Sequence, residues 1–237
     1  MTYGDRVAVI AGATGPLGRI VTAEFARAGA RLGLIGTDPE RLRALARDAG
    51  LDDGNWLAAV GDLRQDDEAR SLVAQVVARF GRADILLHLV GGWAGGASIL
   101  DLDPDDVRSM LDQHLWTTLH AVRAVVPGMV ERGWGRIVAV TTPFASDIGP
   151  SRAAYAIAKA AEEVLIRTLA REVGGPGVTA NLISVRKIDA AHERERTPTQ
   201  KNAAWTTPEE IAATMLFLCS DAGAAVNGAR IPLDGRG

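Results

Sequence analysis

Thiols and long apolar runs are nearly missing from this sequence. Cys219 is the only cysteine in 237 residues, which excludes an intrachain disulfide and a cluster of thiolate metal ligands and favours a buried structural thiol. No stretch approaches the ~20 apolar residues that a membrane span needs, and the N-terminus has no hydrophobic signal core. We therefore expect a cytoplasmic protein with no membrane partner.

A surplus of positive charge is also missing. The net charge is −3 with a pI near 5.8, and no long basic run is present, so nucleic acid is not an expected partner. The four histidines, at positions 88, 114, 120 and 192, include no pair spaced four apart, and we predict no metal site. The 47% apolar content is ample for the core of one domain spanning residues 1–237.

Short apolar segments alternate with helical patterns along the whole chain. Strands are predicted at 6–11, 31–35, 56–60, 84–90, 136–140, 178–185 and 229–233. Helices are predicted up to about 28 and at 39–48, 66–80, 104–130, 153–173 and 208–218. This alternation predicts an α/β, Rossmann-type doubly wound parallel sheet of about seven strands with helices on both faces. The polar stretch 190–205 is expected to be a solvated loop that doubles as a lid.

Glycines mark the first turn between a strand and a helix. Gly12, Gly15 and Gly18 have the spacing G-x-x-G-x-x-G. Glycines let the backbone approach a pyrophosphate, and the following helix offers free N–H groups at its positive end. A tight turn without a ligand is the simpler alternative, but the strand–turn–helix context favours dinucleotide binding.

The end of the second strand is where such folds choose their cofactor. Gly36 stands where a carboxylate would bind the ribose 2′-hydroxyl of NAD, and Thr37 stands where an arginine would bind a 2′-phosphate. Asp38 comes two residues late and could simply cap the next helix, which has Pro39 at its first position. Because the expected carboxylate is missing, we predict NADP(H) in preference to NAD(H).

Tyr155 and Lys159 are four residues apart in an Ala-rich segment with good helix propensity, so they share one helix face. A cation about 4 Å away would lower the pKa of a phenol by roughly 3 units. Tyr155 is then predicted to act as an acid or base near neutral pH. The alternative is a surface helix that carries the two residues by chance.

In this order, the motifs resemble the short-chain dehydrogenase/reductase family across essentially the whole chain. The residues that carry this resemblance are the glycine turn, Asp62, the Y-x-x-x-K pair, Thr207-Pro208-Glu209-Glu210 and Asp234-Gly235. The resemblance implies an NAD(P)(H)-dependent oxidoreductase that interconverts an alcohol and a ketone by hydride transfer. Tyr155 would be its acid/base, Lys159 would hold the nicotinamide ribose, and Thr142 would orient the substrate carbonyl.

The resemblance also assigns the cofactor contacts. Asp62 would lie on the adenine side, although it could instead cap the next turn. The implied cofactor-binding residues are Gly12, Thr14, Gly15, Leu17, Gly18, Thr37, Asp62, Leu63, Leu89, Val90, Gly91, Tyr155, Lys159 and Ile188.

Several positions depart from the family pattern. His88-Leu89-Val90-Gly91 replaces N-N-A-G, and Val185-Arg186 replaces P-G. His114 replaces the asparagine of the proton relay; it could hold the relay water, or it could be a packed histidine. The alternative function is therefore a catalytically silent dinucleotide-binding sensor or scaffold, and a structural subunit without nucleotide is a third possibility.

The partners follow from the resemblance and from the residues near the site. We expect a homodimer or homotetramer built through the long helices and the last strand. The residues expected near the substrate suggest a small or medium carbonyl or alcohol compound with an apolar or aromatic part; they are Trp93, Phe144, Ile188 and the 190–205 lid. Arg186 and Lys187 could meet an anionic substrate or the cofactor phosphates, or could simply face solvent.

Overall fold

The structure, a computed structural model, describes residues 2–175 and 177–234. Seven parallel strands form one sheet in the order β3-β2-β1-β4-β5-β6-β7. The strands are β1 (Val7–Ala11), β2 (Arg31–Gly36), β3 (Trp56–Val60), β4 (Ile85–His88), β5 (Gly135–Thr141), β6 (Val178–Val185) and β7 (Arg230–Leu233). The predicted Rossmann-type fold is confirmed.

The described residues contain eight α-helices. They are α1 (Pro16–Arg27), α2 (Pro39–Asp48), α3 (Asp66–Phe80), α4 (Pro104–Leu111), α5 (Thr117–Glu131), α6 (Ala153–Val173), α7 (Glu193–Arg196) and α8 (Pro208–Cys219). No helix within the described ranges is long and apolar enough to cross a membrane.

The core has two layers because the side chains of each strand alternate between the two sheet faces. On β1, Val7, Val9 and Ala11 belong to the cluster on one face, and Ala8 and Ile10 belong to the cluster on the other. All five residues of β1 are buried, as expected for a central parallel strand covered on both sides.

The chain reverses its direction of winding next to β1. This strand lies between β2 and β4, with Ala11 paired to Ile35 on one side and to His88 on the other. Connections leave these two neighbours in opposite directions, so a crevice opens beyond the carboxyl ends of β1 and β4. Every predicted cofactor motif lies at or near this crevice.

Local sequence accounts for where several helices begin. The Asp38 carboxylate accepts hydrogen bonds from the backbone N–H groups of Glu40 and Arg41, which confirms the capping interpretation of this residue. Thr207 and Glu210 form the capping box expected at the start of α8. Gly235, one of the residues that carry the family resemblance, lies outside the described residues.

The long helix predicted at 104–130 is interrupted. Between α4 and α5 the backbone forms a π-helical turn over Asp112–Trp116. Thr117 and Thr118, which follow this turn, donate hydrogen bonds to the carbonyls of Gln113 and His114 at 2.6 Å each. Hydroxyls that bond backward in this way compete with the regular helical ladder. The wider turn places the His114 side chain in the interior.

The stretch 190–205 is more ordered than the loop that was predicted. It contains α7, whose first N–H groups, of Glu193 and Arg194, donate to the Asp189 carboxylate at 2.9 and 2.8 Å. Arg194 is buried and donates to the Trp205 carbonyl and to Glu210. These contacts anchor the segment to the start of α8.

Candidate active site

The glycine turn after β1 is built for close approach of backbone. Gly12 has a φ of +78°, and a Cβ atom added there would lie 2.8 Å from the carbonyl carbon and oxygen of Leu89. At Gly18 an added Cβ would lie 2.4 Å from the Gly12 carbonyl oxygen. Both positions therefore require glycine.

The helix that follows offers its N-terminus to a ligand. Pro16 is the first residue of α1, and Gly15, at the N-cap, supplies no side-chain cap. The first N–H groups of α1 are therefore available to an anion at the positive end of the helix. This turn fits the pyrophosphate of a dinucleotide.

Two adjoining cavities, of about 370 and 480 Å³, form one cleft above the turn. They share a wall made by Gly12, Gly15, Leu89, Val90 and Gly91. The cavity of about 370 Å³ holds three of the predicted catalytic residues and is called the catalytic-side cavity; it also contains Leu17, Gly18, His114, Tyr155, Lys159, Arg186, Lys187 and Ile188. The cavity of about 480 Å³ holds Asp62, the predicted adenine contact, and is called the adenine-side cavity; it also contains Thr14, Gly36, Thr37, Arg41, Leu63 and Arg64. The structure thus brings together all fourteen residues predicted to bind cofactor.

Thr142 is the one predicted catalytic residue outside the walls of this cleft. It follows β5 and is buried, and its carbonyl accepts a hydrogen bond from Arg230 of β7 at 3.0 Å. Its hydroxyl interacts with the Tyr155 phenol and acts to lower the tyrosine pKa. Thr142 therefore lies directly after the carboxyl end of β5, within reach of Tyr155.

Lys159 is buried, and two protein acceptors bind its ammonium group. Its Nζ lies 2.8 Å from the Val140 carbonyl oxygen and 2.6 Å from Oε2 of Glu162. The Glu162 carboxylate therefore compensates the positive charge of Lys159, which was expected to act on Tyr155 without such a partner.

The expected lowering of the Tyr155 pKa is wrong in this structure. Burial, followed by the negative charge of Glu162, raises the pKa of Tyr155 to about 12, and the interaction with Thr142 only partly opposes this. The phenol is therefore protonated throughout the neutral range, which suits it to donate a proton.

Glu162 was not predicted from the sequence, although it binds Lys159 directly. Its side chain is completely buried, and burial raises its pKa although the hydrogen bonds and the charge of Lys159 oppose the shift. A signal for it exists in the helical spacing. Ala154, Ala158 and Ile166 are also buried on α6, and Glu162 falls between them at the same four-residue interval.

Two buried histidines flank the catalytic side. His114 places Nε2 3.1 Å from the Gly92 carbonyl oxygen, and His88 places Nε2 3.1 Å from the Thr117 hydroxyl. Burial, with the charge of Lys159 second, lowers the pKa of each to about 3. Both imidazoles are thus neutral at pH 7, and Nδ1 of each is buried without a partner among the described residues. His114 is packed at the cleft wall and still presents one acceptor.

The adenine side has its own charged groups. The guanidinium of Arg64 binds the Asp62 carboxylate through Nε and Nη2 at 2.8 and 2.6 Å and holds its pKa below the usual value. The Arg64 backbone N–H also donates to Asp62 at 2.9 Å. Asp62 thus organises its own turn and also lines the cavity. Arg41 lines the same cavity and was not predicted.

Aromatic and cationic groups lie next to Arg186 and Lys187, which line the cleft. The guanidinium of Arg152 lies 4.1 Å from the Phe144 ring centroid, and that of Arg186 lies 5.8 Å from it. Lys187 places its ammonium 3.4 Å from the ring centroid of Trp205. Trp93 is 63% exposed. The Phe144 ring thus has two guanidinium groups beside it, and Arg152 was not among the predicted site residues.

Fold and site together define a class, a dinucleotide-binding α/β protein whose cleft contains a Tyr–Lys pair. A family model described as enoyl-(acyl carrier protein) reductase matches residues 12–235. The chain belongs to the short-chain dehydrogenase/reductase family. It is therefore an oxidoreductase that acts on CH–OH or C=O groups with a nicotinamide dinucleotide as cofactor.

Individual relatives cover nearly the whole chain. D-beta-hydroxybutyrate dehydrogenase of Rhizobium meliloti (strain 1021) is 29% identical, covering 97% of each chain. D-threitol dehydrogenase of Mycolicibacterium smegmatis is 31% identical, covering 97% of this chain and 92% of the relative. The crystal structure of a short chain dehydrogenase from Bacillus anthracis superposes with a TM-score of 0.87 at 29% identity, covering 98% of this chain and 96% of that one. Enzymes of this family act on small molecules and commonly form oligomers.

Proposed function

We propose that this protein interconverts a ketone and an alcohol in the cytoplasm by hydride transfer, with Tyr155 as the proton donor and acceptor. One observation carries the proposal. Tyr155 and Lys159 line the same cavity as Gly12, Gly15 and Gly18, so the acid/base group shares its space with the turn that fits a dinucleotide. The bound cofactor supplies or accepts the hydride at its nicotinamide ring.

The protonation state of Tyr155 favours the reducing direction. Because the pKa of its phenol is about 12, the group carries its proton at pH 7 and can give it to a carbonyl oxygen as hydride arrives at the carbon. Thr142, which interacts with the phenol, would hydrogen-bond the same carbonyl oxygen and orient it. Oxidation needs the phenolate and should speed up as the pH rises.

Lys159 retains capacity to bind cofactor. An ammonium has three N–H donors, and two of them are used by Val140 and Glu162. We assign the third to the nicotinamide ribose, as the family pattern implies. Lys159 then fixes the ribose relative to Tyr155, and His114 presents its unpartnered Nδ1 as an acceptor for a water near the pair.

The cofactor is proposed to be NADP(H). The last residue of β2 is Gly36, so no carboxylate stands at the end of this strand. The Asp38 side chain caps α2, because it accepts hydrogen bonds from two backbone N–H groups of that helix. Arg41, which lines the adenine-side cavity, is the cation that we assign to the 2′-phosphate.

The activity can be tested with reduced cofactor carrying deuterium at C4 of the nicotinamide. A panel of small ketones, including ketones with a carboxylate, is incubated with the enzyme, and products are analysed by mass spectrometry. The proposal predicts deuterium on the carbinol carbon of the product alcohol. Tight cofactor binding without any product would instead support the silent sensor or scaffold. The dehydrogenases among the relatives support the catalytic alternative.

The enzyme is proposed to be a homodimer or homotetramer. Trp116, Ile157 and Val164, from the α4–α5 region and α6, are 43%, 45% and 65% exposed, and apolar side chains exposed to this extent on neighbouring helices favour contact between copies. Light scattering at micromolar concentration should give a mass at least twice that of the chain. A monomer would contradict this assembly.

A further inference from the structure

Glu162 is a charged group in a place where charge is costly. It is completely buried on α6, beside the cleft. Its Oε2 accepts a hydrogen bond from the Lys159 ammonium at 2.6 Å, and its Oε1 lies 2.9 Å from the Thr118 hydroxyl. An unpaired carboxylate at such a site would take up a proton, so its charge depends on Lys159.

The hydrogen bonds around Glu162 can accommodate a proton on it. Thr118 has a single hydroxyl hydrogen but faces two oxygens, the His114 carbonyl at 2.6 Å and Glu162 Oε1 at 2.9 Å. When Glu162 is protonated, its O–H can donate to Thr118, whose own hydrogen then goes to His114. When Glu162 is ionised, Thr118 must share its hydrogen between the two. The same side chains thus serve both charge states.

Lys159 is the cation that faces Glu162. The adjacent carboxylate, Glu163, is directed elsewhere, accepting hydrogen bonds from Thr141 at 2.8 Å and from Arg230 of β7 at 2.9 Å. His114, whose carbonyl lies on the other side of Thr118, and His88 of β4 have neutral side chains at pH 7 because burial lowers their pKa. The charge of Lys159 is therefore compensated mainly by Glu162.

We propose that Glu162 is a positioning residue that sets the charge which Lys159 presents to Tyr155. With Glu162 ionised, the pair with Lys159 is neutral overall and Tyr155 holds its proton. With Glu162 protonated, the full charge of Lys159 acts on the phenol and favours the phenolate. This inference rests on the proposed function, since it matters for turnover only if Tyr155 transfers the proton.

The chain offers a direct test that needs neither cofactor nor substrate. Its two tyrosines, Tyr3 and Tyr155, can be labelled with ¹³C at Cζ, which reports ionisation in the NMR spectrum, and Tyr3→Phe assigns the signals. Burial raises the pKa of Tyr3 well above its usual value, so its signal stays that of the phenol as long as the protein is folded.

The decisive comparison is between wild type, Glu162→Gln and the matched control Glu163→Gln at pH 11. A glutamine at 162 can accept from Lys159 and donate to Thr118, so it reproduces the protonated form. In wild type, with a pKa of about 12, Tyr155 should be mostly protonated. Glu162→Gln removes the negative charge that raises the Tyr155 pKa, and this loss does not depend on the charge of Lys159. The variant should therefore lower the Tyr155 pKa by about one unit or more, making at least about half of Tyr155 phenolate. Glu163→Gln should resemble wild type.

Either of two results would overturn the proposal. One is an unchanged Tyr155 signal in a folded Glu162→Gln protein, and the other is a wild-type pKa of 10 or below. Glu162→Met, similar in volume but without polar atoms, takes the place of the glutamine variant if that variant does not fold, and the wild-type measurement stands by itself. Because no turnover is measured, the result is independent of whether the proposed reaction is correct.

Discussion

The two ends of the cleft depend on different physical properties. The end that we propose for the cofactor, called the cofactor end, consists of glycines and free backbone N–H groups at the start of α1, where an added side chain would fill the available space. The end that we propose for proton transfer, called the catalytic end, consists of buried charges that compensate each other, with Lys159 and Glu162 2.6 Å apart. The first depends on shape and the second on electrostatics, so substitutions should affect the two ends in different ways.

The largest effect is expected at the catalytic end. Lys159→Met leaves Glu162 buried without its cation, and breaking a buried pair costs about 3–5 kcal/mol of the free energy of unfolding. Without Lys159, the pKa of the Glu162 carboxyl rises further. The loss in the free energy of unfolding should therefore be larger at pH 8 than at pH 5, where Glu162 can take up a proton. Urea unfolding followed by circular dichroism measures it.

The double variant Lys159→Met/Glu162→Leu is the control for that experiment. It removes the stranded carboxyl as well and should recover most of the lost stability. If Lys159→Met alone lowers the free energy of unfolding by less than about 1 kcal/mol, Lys159 and Glu162 behave like an exposed ion pair. The claim that the catalytic end depends on buried charges would then be wrong.

At the cofactor end, Gly12→Ala should weaken NADPH binding about 100-fold or more. The new Cβ would clash with the Leu89 backbone, and the φ of +78° is unfavourable for alanine. Gly50→Ala is the control, since Gly50 also has a positive φ, of +63°, but an added Cβ would meet nothing within 4 Å and the residue does not line the cleft. Fluorescence titration measures both, and equal losses would show that shape at Gly12 is not the cause.

The neutral histidines should make the catalytic end sensitive to acid. A folded-state pKa of about 3 for His88 lies below the unfolded value of about 6.5, so the unfolded chain binds more protons and stability falls as the pH drops through that window. Between pH 7 and pH 5 the loss should be about 2 kcal/mol for each such histidine. His88→Gln should reduce the loss of stability between pH 7 and pH 5 by the contribution of one histidine. An unchanged loss in that variant would contradict this prediction.

The smallest effect is expected from Arg41, at the rim of the cofactor end. Arg41→Ala should raise the Kd of NADPH about tenfold, through loss of a partly exposed phosphate contact, and leave that of NADH unchanged. Arg43→Ala is the control, because Arg43 lies on the same helix but pairs with Glu40. Equal affinities for NADPH in both variants would assign the 2′-phosphate to another residue.

The same contrast explains what could be predicted from the sequence. The glycine turn, the strands and the capping residues of α2 and α8 are local patterns, and their positions were predicted closely. The pair between Thr118 and Glu162 joins residues 44 apart in the chain, and no local pattern encodes it. The pKa of Tyr155 was therefore predicted with the wrong sign, from Lys159 alone.

The π-helical turn over Asp112–Trp116 is a similar case. Periodicity predicted a continuous helix there, because a single wider turn scarcely changes the spacing of apolar residues. The hydroxyl bonds of Thr117 and Thr118 to the carbonyls four residues earlier accompany the turn, and the interior position of His114 is a tertiary feature that periodicity does not show. The helical interval shared by Ala158, Glu162 and Ile166 was the one visible sign that a carboxyl faces the interior.

The central claim is that Tyr155 performs proton transfer in a cleft that binds cofactor independently of it. The most direct measurement compares wild type with Tyr155→Phe in two assays, NADPH fluorescence titration and carbonyl reduction. The account predicts equal cofactor affinity in both proteins and a loss of turnover of about 10²–10⁴-fold in the variant. Retained turnover in Tyr155→Phe, or the absence of cofactor binding by the wild type at near-millimolar concentration, would contradict it.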